Sequence, residues 1–194
     1  MKLRSLIVAF AVSTAPFAMH AQTGLYVNPI AMSVKISTAD HGTFAFLGNG
    51  GTQAMFYGVN MGGYYDFKTP YAFRAGIDVR DSILHSNDAL LNNFLVGVRF
   101  SGHPFHNAGW KPYIEPVIGA GHSRAPNTTV GVNKFEYGIY GGVDYATHHH
   151  IDFRLIEVGF SGLRTASSQT IGDSAAIPAA TMISISSGFV FRFP

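Results

Sequence analysis

The chain of 194 residues fits one domain, and its charged fraction of 12% is about half the usual ~25% of a soluble protein, while its hydrophobic fraction of 47% is ordinary. Zero cysteines exclude a disulfide scaffold, a thiolate metal site and a Cys nucleophile. Lys2 and Arg4 are two of the 13 basic residues, so the remaining 11 balance the 11 acidic residues; a neutral mature chain gives no basic footprint for nucleic acid.

The first stretch reads as a secretory signal. Lys2 and Arg4 form a positive n-region, Leu6 to Ala18 a short apolar run, and Ala21 precedes the expected cut. The run is too short for a transmembrane helix, which needs about 18 apolar residues. Residues 1–21 are therefore set apart as a signal peptide, and 22–194 as the mature domain.

Alternation of period two then recurs to the end of the chain, the signature of strands. The first strand, Leu25 to Ser37, puts Ile30, Met32, Val34 and Ile36 on one face and Lys35 on the other. A polar connection, 38–52, follows. The second strand, Met55 to Phe67, opposes Met55, Tyr57, Val59, Met61 and Tyr65 to Gly58, Asn60, Gly62 and Asp66. The third, Tyr71 to Ile83, opposes Phe73, Ala75, Ile77 and Val79 to Arg74, Gly76, Asp78, Arg80 and Ser82.

Leu84 to Leu91 is expected to connect to a fourth strand, where Phe94, Val96, Val98 and Phe100 oppose Asn93, Leu95, Gly97, Arg99 and Ser101. The fifth, Tyr113 to Gly121, carries Glu115 opposite Ile114, Pro116 and Ile118; Pro116 predicts a bulge or irregular pairing. After a loop over 123–132, the sixth strand opposes Phe135, Tyr137, Ile139, Val143 and Tyr145 to Glu136, Gly138, Tyr140, Gly142 and Asp144. In the seventh, Ile151 to Ser161, Asp152 and Arg154 share a face, and strict alternation would turn Glu157 outward toward lipid. That is costly, so a bulge is expected near Ile156. A long loop over 163–181 precedes the last strand, Met182 to Phe193, with Ile183, Ile185, Phe189, Phe191 and Phe193 opposite Ser184, Ser186, Gly188, Val190 and Arg192.

These elements predict an all-β fold: an eight-stranded antiparallel up-and-down transmembrane β-barrel, with connections longer after the odd strands than after the even ones. So narrow an interior is just filled by side chains, so the bulky apolar face belongs outside and the glycine, serine and charged face inside. The expected lumenal network comprises Lys35, Arg74, Asp78, Arg80, Arg99, Glu115, Glu136, Asp144, Asp152, Arg154, Glu157 and Arg192, together with Asp66, as a closed plug of paired charges. Reversing the faces would make a soluble periplasmic lipocalin-like ligand-binding barrel instead.

The last strand, with Gly188, Phe191 and Phe193, resembles the C-terminal insertion signal of bacterial outer-membrane barrels, from which it departs by ending on Pro194. With Lys111-Pro-Tyr-Ile-Glu115 and Gly119-Ala-Gly121, the chain resembles the small OmpA/OmpX-like outer membrane β-barrel family. That resemblance implies outer-membrane location with both termini periplasmic, contact with outer-membrane lipid and lipopolysaccharide, insertion by the barrel-assembly machinery, a monomer, and loops facing an unspecified external partner. It says little about activity, because that family spans adhesion, structural and enzymatic roles; the expectation is a non-enzymatic protein without a cofactor, with a structural or surface-interaction role carried by its extracellular loops.

A rival chemistry rests on His122, Ser123 and Glu136. The gap from His122 to Glu136 resembles that of outer-membrane lipid A deacylases of the PagL type, which place His and Ser two residues apart on one face. Here they are adjacent, and on a strand adjacent residues point oppositely. His148, His149 and His150 are consecutive and read as a polar turn; His103 and His106 read as interfacial residues beside Trp110. No metal site is expected.

Overall fold

The computed structural model describes residues 22–36, 53–67, 73–86, 89–102, 109–164 except 125–130, and 180–193. The expected signal peptide, the connection 38–52, His103, His106 and Pro194 lie outside these residues. Eight strands form: β1 (Gln22–Ile36), β2 (Gln53–Phe67), β3 (Phe73–Ser86), β4 (Ala89–Gly102), β5 (Trp110–Arg124), β6 (Gly131–His148), β7 (Ile151–Arg164) and β8 (Ala180–Phe193). Each pairs antiparallel with its chain neighbours, and β1 pairs with β8, which closes the barrel. Closure leaves no strand edge unpaired, the condition for a β-structure to cross lipid.

The outer wall is apolar. Leu25, Val27, Tyr57, Ile77, Phe94, Ile118, Phe135, Phe160, Ile185 and Phe189 are all exposed on it. The reversed, lipocalin-like arrangement is thereby overturned: the bulk faces out. Trp110 and Tyr145 pack edge to face near the end that carries the chain termini, at a ring separation of 5.3 Å.

Several strand limits differ from expectation. The connection expected over 84–91 does not form; β3 and β4 run on until only residues 87 and 88 separate them, and Leu84 pairs with Leu91. Leu84, Ala89 and Leu91 continue the inward alternation and are buried, so their apolar contacts extend the ladder. With residues 103–109 between β4 and β5, the expected long–short alternation of connections fails at that point. Likewise β5 reaches Arg124, β6 begins at Gly131, β7 reaches Arg164 and β8 begins at Ala180, which shortens the loops expected over 123–132 and 163–181.

Pro116 brings no bulge. Register with β6 is continuous, and on the β4 side pairing lapses between Gly97/Val117 and Phe100/Ile114 while the register is kept. Pro29 coincides with a similar lapse between β1 and β8. Both follow from the missing N–H of proline. The bulge expected near Ile156 does form: Leu155 and Ile156 both face outward, the β7 register shifts between Arg154 and Glu157, and Glu157 returns to the interior.

β1 corrects the sequence reading. Tyr26 and Asn28 point inward, so parity buries Ile30, Met32 and Val34 and turns Lys35 out. Lys35 stands near the end of its strand, where a long cationic side chain reaches polar surroundings at little cost. The lumen is accordingly layered. At the end opposite the termini, Ile30, Met32, Val34, Phe56, Leu84, Ala89, Leu91, Leu163, Ala180 and Met182 form one buried apolar cluster. A wholly polar lumen was expected; the inward half of β1 and the leucines of β3 and β4 replace its upper part with hydrocarbon.

Candidate functional site: a closed lumenal charge layer

Below the apolar cluster the inward positions of β3 to β7 hold three arginines among four carboxylates. Arg80 donates from Nε to Asp78 at 3.0 Å, from Nη1 to Glu157 at 3.2 Å, and also to Glu115. Arg99 contacts Glu115 at 2.6 Å and Asp144 at 3.0 Å, and lies 3.9 Å from Asp66. Arg154 joins Asp144 at 2.8 Å to Glu157 at 3.0 Å. The three guanidiniums are fully buried or nearly so. Carboxylates shared between arginines make this one continuous network, not separate pairs.

Four tyrosines complete it, and the sequence reading passed over three of them. The guanidinium of Arg99 lies over the ring of Tyr113 at 3.8 Å and that of Tyr64 at 4.3 Å; Arg80 lies over Tyr140 at 4.2 Å, and Arg154 over Tyr26 at 4.5 Å. Each ring offers its negative face to a cation already stripped of water. Tyr26 and Tyr113 also donate their hydroxyls, to Asp78 at 3.0 Å and to Glu157 at 2.7 Å. Asn60 and Ser186 donate to Glu157 as well. The signal for these residues was parity alone: Tyr64 shares a face with Asp66 and Tyr113 with Glu115. Gly62 is what makes room for Tyr26, since a Cβ there would sit 2.5 Å from its hydroxyl oxygen.

Nearer the termini Asp152 takes Lys111 at 2.6 Å and Arg192 at 2.8 Å. Half-buried Arg74 donates to Gln22 at 2.5 Å, and Ser101 donates to Asp66 at 3.1 Å. Lys111 and the buried Lys134 are inward cations that the sequence reading omitted. Both are found by extending the parity of Glu115 and Glu136.

Glu136 lies apart from the arginine network. It is buried, and the Asn93 amide donates to its Oε1 at 3.4 Å. The two meet across β5 because Gly121 stands between them with no side chain; a Cβ there would lie 3.2 Å from Asn93 Oδ1 and 3.3 Å from Glu136 Oε2.

The three residues of the deacylase comparison are not brought together. His122 faces outward, where its Nδ1 meets Asn133 Oδ1 at 2.7 Å, while Ser123 and Glu136 are buried inside. Proton transfer needs nucleophile and base within hydrogen-bond reach, and here the barrel wall lies between them. The three consecutive histidines are exposed at the β6–β7 turn, with Arg192 donating its backbone N–H to His150 and a side-chain N–H to His148. Among the described residues no group of three or more His, Cys, Asp or Glu could hold a metal ion. In β8, Gly188 is inward against Asn28, while Phe191 and Phe193 are exposed on the wall.

No protein-family model and no curated protein matches the chain. Among solved structures it is similar to Ail, the attachment invasion locus protein of Yersinia pestis, with a TM-score of 0.54 and 11% identity over 90% of this chain and 100% of that one. Ail in complex with the heparin analogue sucrose octasulfate gives a TM-score of 0.52 and 12% identity over the same shares. The outer membrane enzyme PagL is also similar, at a TM-score of 0.44 and 15% identity over 87% of this chain and 99% of that one; at that distance nothing of its chemistry transfers. A closed eight-stranded antiparallel barrel with an apolar outer wall, superposable along the full length of Ail, gives this chain the fold of the small OmpA/OmpX-like outer-membrane β-barrels.

Proposed function

We propose that the protein is a non-enzymatic, monomeric integral outer-membrane protein with periplasmic termini and a structural or surface-interaction role. The observation that carries this reading is the filled lumen. An apolar layer and a charge layer lie in series, so the barrel serves as a membrane-embedded support for its connections rather than as a conduit. Under this reading the segments 37–52 and 165–179, rich in Ser, Thr, Ala and Gly, are the parts that meet lipopolysaccharide or an external partner. The C-terminal strand with Gly188, Phe191 and Phe193 is the handle for the barrel-assembly machinery.

Deleting 165–178 is expected to leave a heat-modifiable outer-membrane band while reducing surface binding or envelope integrity. Full retention of both would remove the loop role. The non-enzymatic assignment is supported by the separation of His122 from Ser123 and Glu136. His122→Ala and Ser123→Ala are each expected to leave the acyl-chain pattern of lipid A unchanged by mass spectrometry; an extra acyl chain retained in either variant would restore the deacylase reading.

A further inference from the structure

The outer wall is apolar nearly throughout, yet on four consecutive strands it carries a continuous polar row. Asp81 of β3, Asn92 of β4, His122 of β5 and Asn133 of β6 all face outward. Asn92 donates to Asp81 Oδ1 at 2.8 Å, Asn92 pairs with His122 in the ladder, and His122 Nδ1 meets Asn133 Oδ1 at 2.7 Å. Phe94 and Phe135, two residues further from the loop-bearing strand ends than Asn92 and Asn133, flank it on the apolar side. A carboxylate on a lipid-facing wall is expensive, so its presence asks for a polar ligand at that level.

We infer that this row binds the sugar head of an outer-leaflet glycolipid of the lipopolysaccharide type. The inference rests on the outer-membrane reading above and gives it a site. Four arguments select this occupant. The row lies two to five residues from the strand ends that carry the loops, at the level where acyl chains give way to headgroups. Its side chains are one carboxylate, two carboxamides and an imidazole, which donate to and accept from neighbouring hydroxyls and amides; none is a fixed cation, so hydroxyls rather than phosphates are the groups it matches. Within the row each residue spends one polar atom on its neighbour: Asp81 Oδ1, Asn92 Nδ2, His122 Nδ1 and Asn133 Oδ1. Asp81 Oδ2, Asn92 Oδ1, His122 Nε2 and Asn133 Nδ2 are left to a ligand, two acceptors flanked by an imidazole and a donor. Phe94 and Phe135 supply flat apolar surfaces for the C–H face of a sugar ring.

Curvature decides against a second copy of the barrel. β3 to β6 are four of eight strands, half the circumference, whereas two convex barrels touch only along a narrow line. Such a partner leaves one end of the row uncovered. A flexible multi-sugar head, or two lipids side by side, follows the bend.

The test uses the full-length mature protein in phosphatidylcholine nanodiscs, comparing wild type with Asp81→Ala/Asn92→Ala/Asn133→Ala. These outward substitutions replace polar groups by apolar ones on a lipid-facing wall, and a heat-modifiable band checks that the variant remains folded. Rough lipopolysaccharide is titrated and the bound fraction read by native mass spectrometry. The expected result is affinity at least about tenfold weaker in the variant, since each ordinary hydrogen bond lost changes an affinity several-fold. Wild-type affinity should be equal for mono- and bisphosphorylated lipid A carrying the same sugars, and phosphatidylglycerol should not compete.

Unchanged affinity in the variant overturns the inference. So does competition by phosphatidylglycerol or affinity that rises with phosphate number, either of which assigns the wall to anion binding. A cross-linked dimer lost in the variant assigns the row to a second copy and also overturns it. Failure of the underlying outer-membrane reading is seen separately, as wild-type protein that fractionates with the soluble periplasm.

Discussion

Arg80 shows how far a single side chain is bound into this interior. It meets three carboxylates and lies over Tyr140, with no measurable exposure of its side chain. Removing it leaves Asp78, Glu115 and Glu157 facing one another with one cation fewer, and breaking a buried ionic cluster from one side costs about 3–5 kcal/mol. Arg80→Ala is therefore expected to shift the urea midpoint of the folded band strongly downward, whereas Thr147→Ala, at an exposed position, should leave it in place. Equal midpoints for the two variants would mean that the charges are solvated and the lumen is open to water. The charged members of this network were legible in the sequence because charge on an alternating strand reports its own face. Tyr140 was legible beside Glu136 and Asp144, but Tyr26, Tyr64 and Tyr113 were not, because an aromatic residue with a polar tip suits lipid interface and lumen equally, and only its distance in residues from a known inward charge decides.

The seventh strand carries the same logic to a whole ladder. One extra residue, Leu155, lets Arg154 and Glu157 both face inward and meet at 3.0 Å, although their spacing forbids it in a regular strand. This bulge could be foreseen because regular alternation would have put Glu157 into lipid. The first strand lacked such an anchor: Lys35, its one charge, lies near the strand end, where facing outward costs little, and its inward Ile30, Met32 and Val34 look like lipid-facing residues. Apolar side chains thus report a face only when the opposite face is known to be polar. Deleting Leu155 would leave Arg154 and Glu157 two residues apart on one face, so β7 could pair with β6 and β8 through this point without a register shift and keep both charges inward. That deletion and Leu155→Ala, which changes only an outward side chain, are both expected to fold nearly as well as wild type in lipid vesicles. Deleting Leu155 and Ile156 together instead makes Arg154 and Glu157 adjacent, so one of them must turn outward, and an arginine at the mid-plane costs about 2–4 kcal/mol. The double deletion is expected to lower the recovered folded fraction severely; a double deletion that folds like wild type would show that the inward charges do not fix the faces of β7.

Taken together, the two lumenal layers oppose ion flow for different reasons. Ions entering from the loop-bearing end meet the cluster around Met32, Phe56 and Met182, where a dry apolar constriction offers no replacement for hydration. Past it they meet Arg80, Arg99 and Arg154, whose charges are already occupied by carboxylates and tyrosine rings. Two barriers in series close the path while either one stands. Planar-bilayer recordings of the wild type are thus expected to give no discrete conductance. Met32→Ala/Phe56→Ala/Met182→Ala should also stay at background, despite a stability loss of about 2–5 kcal/mol for each emptied site. Adding Arg80→Ala to that triple variant removes part of the second barrier, and currents are expected only in the combined variant, in whatever fraction still folds. Discrete currents from the wild type would contradict closure outright. Currents from the triple variant alone would assign the seal to the apolar layer and leave the arginine network as packing.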